Sequence, residues 1–287
     1  STPIRTPLFA ETAESNGRRL VRAATLEEVQ LPLIEFENVS ISRSGNLALR
    51  GVTLSIQPGE HAAILGPNGS GKSTFIKAIT RECYPLAEPP CRLRIFGQDI
   101  WNVFDLRALL GIVTNDLADR CVQPYTVEET VLSGFFSSIG VWPNHAVTPA
   151  MRARAAELMR LLEITHLAHR QMTEMSSGEV RRAVIARALV HSPHALLLDE
   201  PANSLDIRSQ HELRAAIRRL AAQGIGLLVV THHLPDIVPE IERVICLKDG
   251  RVWRDGPKRE ILTPSTLSAL FGVEVQVEQN GGFYQMI

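Results

Sequence analysis

Gly66-Pro67-Asn68-Gly69-Ser70-Gly71-Lys72-Ser73-Thr74 is the stretch on which the reading of this chain turns. It satisfies the pattern G-x-x-x-x-G-K-[ST] at every constrained position. His61 to Leu65, just before it, reads as a short buried strand, and Thr74 to Ile79 carries apolar residues at helical spacing. The loop therefore joins a strand to a helix, the context in which this pattern holds phosphate. Its glycines let phosphate oxygens approach the backbone. Successive amide N–H groups and the positive helix end face the anion, Lys72 adds a point charge, and the Ser73 hydroxyl is set to ligate Mg²⁺.

Working outward, Ala195 to Leu198 is an apolar strand that ends in Asp199-Glu200-Pro201. In a phosphate-loop chain this is where a magnesium-associated Asp is expected, and Glu200, one residue further, is placed as the base that orients or deprotonates the attacking water. Leu227 to Thr231 is a second continuous apolar strand, separated from the first by the charged helix Ile207 to Ala222. Such βαβ alternation predicts an α/β fold with a mostly parallel sheet covered on both faces.

On the N-terminal side, Leu33 to Glu37 and Val52 to Ile56 flank a Gly45-Asn46 turn, and Arg92 to Gly97 alternates. These predict an antiparallel β edge subdomain. Pro85 to Pro90 is a proline-rich break, and Leu109 to Val113 a short apolar run. From Thr126 to His169 the period becomes helical. Thr126-Val127-Glu128-Glu129 matches a capping box, and Met151, Ala155, Leu158, Met159 and Leu162 recur at helical spacing. The expected organisation is an N-terminal tail over 1–31, with a short helix near Leu26 to Val29, then a domain over 32–256 carrying an inserted helical subdomain at about 117–176. A hairpin around Asp249-Gly250 closes that domain. A C-terminal extension over 257–287 adds a short helix near Ser265 to Phe271 and a strand-like end.

Composition narrows the function. The 287 residues, 45% hydrophobic, suffice for a substantial core, and a net charge of -1 gives no global attraction to nucleic acid, so no nucleic-acid partner is expected. Cys83, Cys91, Cys121 and Cys246 show no metal-site spacing, which predicts reduced thiols in a cytosolic compartment. No apolar run approaches the roughly 20 residues needed to span a bilayer, so a membrane role is expected to come through a partner.

A more specific resemblance begins at Met175-Ser176-Ser177-Gly178-Glu179-Val180-Arg181-Arg182, which leads into the apolar helix Ala183 to Leu189. Lying shortly before the Asp-Glu strand, it resembles the signature motif of ATP-binding cassette (ABC) ATPases, usually Leu-Ser-Gly-Gly-Gln. Met175, Ser177 and Glu179 depart from that form. Ser204-Leu205-Asp206 is similar to the family's D-loop, and His232 to its switch histidine, while His233 has no counterpart. The resemblance covers about Leu33 to Gly256 and implies Mg²⁺ and ATP as cofactors. It implies that Ser176, Ser177, Gly178 and Glu179 meet the γ-phosphate of another subunit, that the D-loop lies along the subunit interface, and that His232 contacts the γ-phosphate. Two positions depart further. Arg43 stands where the family stacks an aromatic ring on adenine, and an arginine can lie flat over a base. Asn115 stands at the expected glutamine-loop position as a metal ligand, with Asp116 or Gln123 as alternatives.

The implied function is an ATP-binding and ATP-hydrolysing subunit that forms a homodimer head to tail around ATP and drives a membrane permease. The organisation resembles importer-type cassettes, with similarity to the molybdate and metal-chelate uptake subgroup. The expected location is cytoplasmic, peripheral at the inner face of a membrane. A soluble cassette acting as an assembly or regulatory factor is the alternative; a phosphate-loop kinase leaves the signature and switch segments unexplained. Leu132, Phe135, Phe136, Ile139, Val141 and Trp142 form an apolar cluster where the family receives a permease helix. Leu132 and Ile139 are expected in the core. One of Phe135, Phe136 and Trp142 is expected to be exposed as the anchor.

Overall fold

The computed structural model describes residues 31–43, 45–86 and 91–287; the expected tail up to residue 30 and residues 87–90 of the proline-rich break lie outside them. The first strands, β1 (Ile34–Arg43) and β2 (Asn46–Ile56), form an antiparallel hairpin. The strand β3 (His61–Leu65) leads through the Gly66 to Thr74 loop into α1 (Lys72–Ile79). Next, β4 (Arg92–Ile95) pairs antiparallel with β1, completing a three-stranded sheet in the order β2-β1-β4.

Two helices follow that periodicity did not signal: α2 (Val103–Leu109), which leads into β5 (Leu110–Val113), and α3 (Asn115–Cys121). Each is one to two turns long and starts on a side-chain cap, Asn102 for α2 and Thr114 for α3. The helical insert continues with α4 (Val127–Leu132), on the expected Thr126/Glu129 capping box, and α5 (Pro149–Leu161). Phe135 and Phe136 lie not on a regular α-helix but on the 3-10 turn Ser133–Phe136.

The remaining chain supplies α6 (Ser177–Ala188), β6 (Ala195–Asp199), α7 (Ile207–Ala222), β7 (Gly226–Thr231), β8 (Arg243–Lys248) and β9 (Arg251–Pro257). Short helices α8 (Lys258–Ile261) and α9 (Pro264–Phe271) precede a hairpin of β10 (Val277–Asn280) and β11 (Phe283–Met286). The main sheet runs β5-β6-β7-β3-β8-β9, parallel except for the antiparallel edge β9.

Alternation along the central strands divides the core into two layers. Ala62 and Ile64 of β3, with Leu197 of β6, face the three-stranded sheet and α1. Ala63 and Leu65, with Leu196 and Leu198, face α6, α7 and the helical insert. Both faces are apolar because both are covered, which is why β6 and β7 read as unbroken hydrophobic runs. Phe36 of β1 stacks on Phe75 of α1 with centroids 4.8 Å apart, fixing the phosphate-loop helix against the antiparallel layer.

Candidate active site

Strand register builds the site. Leu65 at the end of β3 pairs with Thr231 at the end of β7, and Val230 pairs with Asp199 at the end of β6. Three strands thus deliver the phosphate loop, the Asp-Glu pair and His232 to one carboxyl edge of the sheet, where open α/β sheets place ligands. There they line a cleft of about 490 Å³ with Asn68, Gly69, Gly71 to Thr74, Asn115, Asp199, Glu200 and His232.

The loop's glycines have distinct reasons. A Cβ on Gly66 would meet the Leu247 carbonyl oxygen at 2.4 Å, and one on Gly71, whose φ is 109°, would meet the Ala48 carbonyl oxygen at 2.8 Å. Both positions are closed to larger residues by backbone. Gly69, with φ 80°, has nothing within 4 Å on its Cβ side, leaving the open approach that a phosphate oxygen requires. Ser70 Oγ is buried and has no hydrogen-bond partner among the described residues. A donor left unpaired against an anion cradle fits a triphosphate.

Lys72 Nζ donates to the carbonyl oxygens of Gly66 (2.7 Å) and Pro67 (3.1 Å) and lies 3.6 Å from Glu200 Oε1. Burial pulls its ammonium below the usual lysine range, with Glu200 and Asp199 opposing that pull. The Asp199 carboxyl is pushed up to about 6, first by burial and then by the neighbouring Glu200 charge, against Lys72 and Arg181. Asn115 begins α3, and its Oδ1 accepts from Arg181 Nη2 on α6, so the amide facing the cleft is oriented by the signature helix. Ser73 is exposed at the cleft floor.

Glu200 sits at φ 45°, a left-handed backbone uncommon for glutamate, anchored by its N–H to the Val230 carbonyl (2.8 Å). One carboxylate oxygen, Oε1, lies 2.8 Å from His232 Nδ1. The other, Oε2, is within reach of the His232 N–H (3.3 Å) and the Thr231 hydroxyl (3.1 Å). Glu200 and His232 are therefore one hydrogen-bonded unit. His232 and His233 have ring centroids 3.8 Å apart.

Other expected residues lie apart from this cleft. Ser176 caps α6 with Glu179 in a full capping box. Burial opposes, yet the hydrogen bonds from the Ser176 N–H and hydroxyl hold the Glu179 carboxyl below the usual range. Ser177 is exposed, whereas Gly178 is buried so close to α7 that a Cβ would lie 2.6 Å from that of Ser209. None of Ser176, Ser177, Gly178 and Glu179 lines the cleft. In the D-loop stretch, Ser204 has φ 62°, Leu205 is buried, and Asp206 caps α7 by accepting from the Ser209 N–H (2.9 Å) and hydroxyl (2.7 Å). Arg43 ends β1, exposed, outside the cleft lining. Asn203 and Ala48 line the cleft without having been anticipated. Asn203 gets there because its N–H bonds the Glu200 carbonyl (3.1 Å) in the turn after β6, and no motif position marks it.

Residues 49–203 match the family described as ABC transporter. The chain belongs to the ABC transporter ATP-binding family. HmuV of Rhizobium leguminosarum, a hemin import ATP-binding protein, is 33% identical over 257 residues, covering 86% of this chain and 93% of that protein. CbiO1 of Clostridium perfringens, part of an ABC transporter complex, is similar with TM-score 0.69 and 28% identity, covering 83% of this chain and 93% of that one. A cassette solved as a dimer in a post-hydrolysis state with ADP and phosphate gives TM-score 0.64 at 28% identity, covering 78% of this chain and 98% of its own. This ABC cassette binds and hydrolyses ATP as the subunit that drives a membrane permease. Among the described residues no helix is long and apolar enough to cross a membrane.

Proposed function

We propose that the cleft at the carboxyl edge of the sheet is the hydrolytic site, with Glu200 as the base and Lys72 and the loop amides of Gly66 to Thr74 as the phosphate cradle. The carrying observation is the Glu200–His232 unit at 2.8 Å facing the loop across the cleft. Glu200 takes a proton from water, whose oxygen forms a bond to the γ-phosphorus as the β–γ bridging bond breaks, and ADP leaves with that electron pair. Lys72 exchanges the Gly66 and Pro67 carbonyls for phosphate oxygens, and His232 steadies the base. The Ser73 hydroxyl, the Asn115 amide oxygen and the Asp199 carboxylate are the donors that would hold Mg²⁺, a set of few protein oxygens of the kind that ion accepts beside a nucleotide. Bound there, Mg²⁺ would offset the negative charge of the phosphates. Arg43 is assigned the adenine face.

Two copies assemble head to tail, each offering Ser176, Ser177, Gly178 and Glu179 to the other's cleft, with Ser204 to Asp206 along the seam. Exposure of Ser176 and Ser177 away from their own cleft supports that arrangement. Trp142 is the permease anchor. It is 53% exposed, whereas Phe135 and Phe136 are half-buried against His191 and His145. The domain at 32–256 with its insert at about 117–176 forms the working cassette, flanked by the tail 1–31 and the extension 257–287. It acts in the cytoplasm, at the inner face of a membrane. Relatives named for hemin import support import as the direction and a metal chelate as the cargo class.

Glu200→Gln tests the central assignment: ATP binding should persist while hydrolysis falls by about 100-fold or more. Hydrolysis at the parental rate by that variant would remove Glu200 as the base.

A further inference from the structure

The base is held from behind. Thr231 is fully buried at the end of β7, and Asp236, in the 3-10 turn Leu234–Asp236, is 1% exposed. The Thr231 hydroxyl oxygen lies 3.1 Å from Glu200 Oε2 and 2.9 Å from Asp236 Oδ2, while accepting the His233 N–H at 3.0 Å. A hydroxyl carries one hydrogen, so two carboxylates compete for it. Whichever wins fixes both the orientation of Glu200 and how strongly its charge is satisfied.

Asp236 is itself tied outward. Its Oδ1 lies 3.5 Å from Arg214 Nη2, which also donates to Gln210 Oε1 (3.0 Å), and Gln210 Nε2 donates to the Leu205 carbonyl (2.9 Å). An unbroken polar series thus runs Leu205, Gln210, Arg214, Asp236, Thr231, Glu200. It connects the Ser204 to Asp206 stretch with the base along a half-buried edge of α7.

We propose that Thr231 and Asp236 are positioning residues for Glu200, and that Gln210 and Arg214 make their hold depend on where the Ser204 to Asp206 stretch sits. This rests on Glu200 being the base, as proposed above. When that stretch draws on Gln210, Arg214 shifts its hold on Asp236, and the Thr231 hydrogen is reallocated between the two carboxylates. Reallocation alters turnover, not nucleotide affinity, because none of the four positions lies in the cleft lining.

The test is steady-state ATP hydrolysis by the full chain carrying Thr231→Val, Thr231→Ser, Asp236→Asn, the Thr231→Val/Asp236→Asn pair and Gln210→Leu. Valine matches threonine in shape and removes only the hydroxyl. It should lower kcat about ten-fold with KM for ATP within about two-fold, and serine should restore kcat to within about two-fold. Asp236→Asn should lower kcat about three- to ten-fold, and the pair should be no slower than Thr231→Val alone, since both changes break one series. Gln210→Leu should lower kcat by about two- to five-fold at unchanged KM. Independent, multiplying losses in the pair, or a rise in KM with kcat unchanged, would overturn the proposal, and parental kcat in Gln210→Leu would remove the link to the Ser204 to Asp206 stretch. An inactive Glu200→Gln chain beside a fully active Thr231→Val chain leaves the base in place and sinks the positioning role. A fully active Glu200→Gln chain sinks the base assignment itself.

Discussion

Lys72 donates to the Gly66 and Pro67 carbonyls of its own loop. Lys72→Ala deletes the charge proposed to meet the phosphates, so ATP affinity should fall by at least about ten-fold, read by equilibrium binding. Asp199 gives a pH-dependent expectation. Its folded pKa of about 6 exceeds the ordinary Asp value of about 3.9, so the folded state binds this proton more tightly. That contribution to stability is fully present below about pH 4 and is lost as pH rises through 6. Above that, the ionised, buried carboxylate costs about 1–2 kcal/mol once its remaining contact with solvent is discounted. Asp199→Asn should therefore raise the melting temperature of the nucleotide-free protein at pH 7.5 by roughly 2–6 °C, and the gain should vanish towards pH 4. A lower melting temperature at both pH values would contradict this. Lys72, Ser73, Asp199 and Glu200 were legible in the sequence because contiguous spacing carries their geometry. Asn203 was not, because it sits in the turn that follows Glu200 at φ 45°, a conformation that residue type does not announce. Thr231 and Asp236 were not, because their contact with each other forms only where β7 runs into the 3-10 turn Leu234–Asp236.

Among the elements, β3, β6 and α7 could be read to the residue, since continuous apolar runs and an amphipathic helix with a capping Asp206 leave little freedom. Strand β1 runs on to Arg43, beyond the expected Glu37, because register shifts after Phe36 break the alternation that pattern reading follows. Helix α2 buries only Leu106, so it had no stripe to find. The contact between α6 and α7 is more demanding than the sequence shows. Gly178 leaves 2.6 Å between a hypothetical Cβ and that of Ser209, so Gly178→Ala must push the two helices apart. A loss of about 1–3 kcal/mol is expected, measured as a lower denaturant midpoint with an unchanged slope. An unaltered midpoint would show that the signature end of α6 yields freely.

For the whole molecule, the cleft lining does not include Ser176 to Glu179, and the proposed head-to-tail pairing, in which a second copy supplies them, can be tested directly. Ser176→Arg and Lys72→Ala chains should each be inactive alone, and mixing them should restore part of the ATPase activity through one intact composite cleft. Mixed dimers that form yet stay inactive would count against the head-to-tail assembly. The sheet order β5-β6-β7-β3-β8-β9 bears on a different moment in the protein's life, its synthesis. The strand that carries the phosphate loop emerges early, but both of its neighbours, β7 and β8, are encoded near the other end of the chain. Until Thr231 and then Cys246 have left the ribosome, the apolar run Ala62 to Leu65 has no partner on either edge. The nascent chain carries that strand unpaired while residues 66–230 are made, so synthesis interrupted within that span should leave an apolar edge open to aggregation, a hazard the finished cleft does not disclose.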